Sequence, residues 1–208
     1  MLYMKKLVIA IVTAFVLWFV MFSPHTAPHL NFWLAMSLSA MLLVGLSVWF
    51  GKRQVLHSLW FSWRDLGLGM VSAAALWGVF WLGNYFSNLL FDFAQGQVGS
   101  VYAMKDGNNQ IVISVALLLL IGPAEEIFWH GYVQNTISQK LPSLLVVLCT
   151  ALIYSLVHLP SLNFMLIMAA LVCGLFWSLL FYFNKNLLTV IVSHAVWDVS
   201  VFVLFPIS

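Results

Sequence analysis

Of 208 residues, 63% are apolar and only 7% charged, against about 25% charged in an average globular chain, which excludes disordered, coiled-coil and nucleic-acid-binding classes. Eight Lys or Arg against six Asp or Glu leave a net charge of +2, with no sign of an anionic partner, and two cysteines in apolar runs exclude a disulfide framework. Such a chain reads as an all-α integral membrane protein, one transmembrane domain over 1–208. At roughly 20 residues per span it has room for seven helices and little else.

Apolar runs fall at about 7–22, 32–50, 66–86, 111–131, 143–160, 164–183 and 187–205. Lys5 and Lys6 precede the first, and Ser23-Pro24-His25-Thr26-Ala27 follows it. The bulky His25 spoils a signal-peptidase site, so this run is expected to stay as a first helix. With the N-terminus inside, Lys5, Lys6, Lys52, Arg53, Arg64, Lys140 and Lys185 fall in cytoplasmic segments and Lys105 alone on the other face. The count of spans and the charge asymmetry agree on that orientation. His25, His29 and His57 sit in loops without an acidic companion, and the ten tryptophans read mostly as interface or packing residues. The long connection from 87 to 110, rich in Gly and Asn, reads as a plain loop, although its length would allow a lid.

Ionisable residues inside spans carry the functional signal, since each is costly in hydrocarbon. They are Glu125, Glu126, His130, His158, His194 and Asp198, all in the second half. Residues four apart share a helix face, so Glu126 pairs with His130, His194 with Asp198, and Tyr154 stands on the same face as His158, while Glu125 points elsewhere. A carboxylate, two imidazoles and a second carboxylate can bind a metal with an open water position or activate water directly. Both routes lead to hydrolysis. The sequence contains no HExxH, GxSxG or GxxxxGK[ST] motif, and a single Asp in the spans argues against an aspartyl mechanism. A helix confined to 111–131 would hold Glu125 too deep to meet His158, at about 1.5 Å per residue. The fourth helix is therefore expected to run on to about Lys140, before Leu141-Pro142, which puts the site in the outer half of the membrane.

In Glu125-Glu126-Ile127-Phe128-Trp129-His130-Gly131, Tyr154-Ser155-Leu156-Val157-His158-Leu159-Pro160 and His194-Ala195-Val196-Trp197-Asp198, the chain resembles the CAAX-protease and bacteriocin-processing (CPBP, or Abi) family of intramembrane endopeptidases. The family pattern is EExxxR, then an aromatic-xxx-His, then HxxxN or HxxxD, and the resemblance spans roughly 110–205. It implies a catalytic core there, cutting a peptide bond in a membrane-associated protein or peptide, with Glu125 as general base, His158, His194 and Asp198 completing the site, and Glu126, His130 and Tyr154 supporting it. It leaves open a divalent metal such as zinc, held by Glu125, His158 and His194, or a metal-free glutamate mechanism, to which the missing HExxH tilts the reading. His130 stands where the family has Arg, which replaces a permanent charge with a conditional one. Asp198 in place of Asn suits orienting His194. The short chain resembles the bacterial members, which implies a bacterial inner membrane. The rival class is a non-catalytic immunity or scaffold protein of the same fold; a proton transporter is disfavoured by the lack of an inverted repeat.

Overall fold

The computed structural model describes residues 2–141 and 144–207. Its helices are α1 (Leu2–Phe22), α2 (Phe32–His57), α3 (Trp63–Leu90), α4 (Ala94–Tyr102), α5 (Gln110–Ile137), α6 (Leu144–Leu156), α7 (Phe164–Asn184) and α8 (Leu187–Val199). Seven of these, all but α4, belong to segments long and apolar enough to cross a membrane. Many of the largest apolar side chains lie on the outside, among them Phe183 at 75% exposure and Leu119 at 71%. That surface suits lipid, and together with the seven spans it makes the chain an integral membrane protein.

Helix starts follow from capping chemistry. Asn31, Ser62, Asn109, Asn163 and Asn186 each precede a helix and accept a hydrogen bond from a backbone N–H of its first turn, satisfying donors that have no intrahelical partner. Helices overrun the apolar stretches: α2 continues through Lys52, Arg53 and Gln54 to His57, and α3 begins at Trp63 rather than 66. Hydrophobicity marks where lipid ends, whereas backbone hydrogen bonding carries the helix beyond it. The fourth helix does run on, to Ile137. Pro142 and Ser143, where a stop and the start of the fifth run were expected, lie outside the described residues.

The longer α3 brings in Asp65, a buried acid that the apolar runs had left in a loop. Its Oδ1 accepts from Asn184 Nδ2 at 2.8 Å and Thr189 Oγ1 at 3.3 Å, and its Oδ2 from Asn186 Nδ2 at 2.8 Å. This cluster pins the start of α3 to the α7–α8 corner, and α3 packs most extensively on α8. Full satisfaction by neutral donors is what lets a carboxylate stay buried there.

The segment after α3 corrects the expectation of a plain loop. It folds as α4 and a 3₁₀ turn, Ala103–Lys105, laid against the α7 start and the α8 end. Gln97 accepts from Met165 N–H through its side chain and from Asn163 through its carbonyl. Trp33 donates to the Met104 carbonyl, Tyr102 to that of Val201, and Lys105 to that of Phe202. Burial pushes the Tyr102 phenol above its ordinary pKa, so it remains a donor.

Candidate active site

Helix α5 carries the paired glutamates on a short α-helical stretch, Gly122–Glu126, between two π-helical ones, Leu117–Ile121 and Ile127–Gln134. Pro123 removes one backbone donor from this region, and π turns often mark functional positions. Gly122 allows α5 to touch α8: a Cβ there would lie 3.0 Å from the Ala195 Cα. That close approach lets a side chain of α5 reach His194.

It is Glu126 that reaches. Glu126 is fully buried, and its Oε1 accepts from His194 Nδ1 at 2.7 Å. Its Oε2 lies 2.5 Å from His130 Nδ1, close but outside hydrogen-bond alignment, so that neither atom counts as bonded. His130 Nε2 is 3.3 Å from Ser178 Oγ. On the other side of His194, Nε2 is 3.4 Å from Asp198 Oδ2, and the ring stacks on Trp177 with centroids 3.8 Å apart. An imidazole between two ionised carboxylates serves both only with hydrogen on both nitrogens. The i,i+4 pairs appear as the spacing required, but the link from Glu126 to His194 joins two helices and was invisible to spacing within either.

Glu125 points to a different neighbour, Tyr154, whose hydroxyl donates to its Oε2 at 3.2 Å. Among the described residues its Oε1 has no protein partner. His158 stands just beyond α6, on the turn leading into the 3₁₀ segment Leu159–Ser161, where Pro160 follows. Its Nδ1–H donates to the Tyr154 carbonyl at 2.9 Å, which makes Nε2 the acceptor. That lone pair takes the Trp18 Nε1–H at 3.1 Å. Trp18, fully buried on α1, also meets Trp129 edge-on. Trp18 falls outside the three motifs, and one tryptophan among ten gave no signal in the sequence.

Glu125, Tyr154, His158, His194 and Asp198 line one cavity of about 160 Å³. Its walls are otherwise largely apolar, and Val101 of α4 and Met104 of the 3₁₀ turn line it at the Lys105 end of the bundle. Glu126 and His130 lie behind the wall. Glu125, His158 and His194 do not fit a metal as arranged: the free lone pair of His158 is bonded to Trp18, both His194 nitrogens face carboxylates, and among the described residues no three His, Cys, Asp or Glu side chains converge as a ligand set.

No curated protein and no solved structure matches the chain. Residues 107–200 match the family described as type II CAAX prenyl endopeptidase Rce1-like, a segment that contains all three motifs and every candidate side chain of the cavity except Trp18. Over residues 107–200 the chain is thus similar to the CAAX-protease and bacteriocin-processing family.

Proposed function

We propose that this protein is an intramembrane endopeptidase that hydrolyses a peptide bond in a membrane-associated protein or peptide, with water activated by Glu125. One observation carries the reading: Glu125, His158, His194 and Asp198, contributed by three separate segments, border a single largely apolar cavity. Water held at Glu125 Oε1 loses a proton to that carboxylate while its oxygen bonds to the peptide carbonyl carbon. The oxyanion so formed takes the His194 Nε2–H, whose contact with Asp198 is long enough at 3.4 Å to be exchanged. Glu125 then returns the proton to the amine as the C–N bond breaks. Tyr154 fixes the carboxylate by its bond to Oε2, and Trp18 is a positioning residue for His158. We place the protein in a bacterial inner membrane, N-terminus inside, where the positive-inside asymmetry puts the cavity in the outer half.

Glu125→Gln tests the reading in reconstituted protein, on a panel of membrane-tethered reporter peptides that the wild type cleaves. The amide keeps the volume but cannot take the proton, so cleavage should fall by at least about a hundredfold with the unfolding midpoint retained. Undiminished cleavage would remove Glu125 from the mechanism.

A further inference from the structure

Seven of the eight Lys and Arg residues belong to the end of the bundle opposite α4, so a net charge of +2 conceals a strongly polarised molecule. At that end a cleft of about 550 Å³ opens between α2 and the last turn of α5. Lys52, Arg53 and His57 line it, with Gln54, Asn135 and Ser138 among its uncharged polar groups, and no carboxylate does. Among the described residues these three basic side chains have no ion-pair partner. Asp65, the acid at this end, is taken up by Asn184, Asn186 and Thr189 and does not border the cleft.

The cleft is built by a departure from helix geometry. Gly51 has φ −138° and ψ 28°, kinking α2, and a Cβ there would lie 2.5 Å from the Tyr132 ring of α5. Beyond the kink the two walls are tied together by Asn135 Nδ2 donating to Ser58 Oγ at 2.9 Å, while the Thr136 hydroxyl, which donates to the Tyr132 carbonyl at 2.7 Å, lies 3.3 Å from Gln54 Oε1. At the same end Trp49, Phe61 and Trp63 stand well exposed, as aromatic side chains do where hydrocarbon meets headgroups. Cations and neutral donors without an acceptor charge select an anion, and that depth selects one held by a lipid.

We infer that this cleft binds the phosphate headgroup of an anionic phospholipid, clamping α2 onto the end of α5. The inference is independent of peptide-bond hydrolysis. Full-length protein is reconstituted in nanodiscs of zwitterionic phosphatidylcholine with increasing phosphatidylglycerol, and native mass spectrometry counts retained lipid. Phosphatidylglycerol should be retained selectively, and the double variant Lys52→Gln/Arg53→Gln should weaken retention roughly twenty-five-fold, from about fivefold per basic residue. Arg64→Gln, which removes an exposed charge outside the cleft, should change it little. Should the double variant fail to fold, Ser138→Asp sets a negative charge on the exposed rim and should weaken retention likewise. Equal retention of both lipids, or equal loss in Arg64→Gln, would overturn the inference. So would saturation of the cleft by inorganic phosphate alone, or displacement of the lipid by a soluble acidic peptide that binds more tightly.

Discussion

Glu125 and Glu126 are neighbours in sequence, yet one borders the cavity and the other ties three helices together through His130 and His194. Their substitutions should therefore part company. Glu125→Gln is expected to spare stability, whereas Glu126→Ala leaves buried imidazoles without their carboxylate and should cost about 3–5 kcal/mol, read as a lowered unfolding midpoint in the same lipid. Equal midpoints for the two variants would contradict this division. Trp18→Phe removes one donor and little volume. It should lower stability by about 1 kcal/mol and reduce kcat more than KM in reporter cleavage, because His158 loses its restraint while the cavity wall survives; an unchanged kcat would make Trp18 a packing residue only. The candidate residues of α5 and α8 were legible because an ionisable side chain in an apolar run stands out. An indole in such a run does not, since tryptophan is at home in lipid-facing and packed positions alike.

Helix α5 depends on the contact at Gly122. Gly122→Val forces side-chain carbons against the Ala195 backbone, should cost about 1–3 kcal/mol and should separate Glu126 from His194. Partial recovery of stability on Ala195→Gly, which removes the Cβ that would lie 3.2 Å away while the Ala195 Cα stays in place, would identify that approach as the cause. Helix α4 depends on side-chain bonds at its edges. Asn163→Ala removes donors to the Gln97 carbonyl and to Ser100, so amide hydrogen exchange over 94–105 should accelerate about fivefold or more, for roughly 1 kcal/mol per bond lost, with α5 unchanged. The Tyr102 donor to Val201 is secure below the ordinary phenol pKa and is lost only as pH rises through the raised folded value. Seven spans and the overrun of α5 were legible from apolar length and from the need for Glu125 to meet His158. Helix α4 was not, because its Gly96 and Gly99 suggested a loop, while what holds it helical is long-range bonding to α7 and α8 rather than propensity.

At the scale of the whole molecule, seven spans among the described residues, with the proposed orientation, put Asn108 outside and Gln139 inside. A membrane-impermeant maleimide should label Asn108→Cys in intact cells and Gln139→Cys only after permeabilisation, with unaltered protein as the blank for Cys149 and Cys173. The reverse pattern would invert the proposed topology. The cavity itself is assembled from chain segments far apart in synthesis: the bond from Trp18 to His158 closes over 140 residues. By the time that histidine is made, the spans α2, α3 and α5 have been made after the one that carries Trp18. If Trp18 sets the orientation of His158, that orientation exists only once residues 140 positions apart have met, and with His194 and Asp198 later still, the cavity stays incomplete until nearly the whole chain has been made.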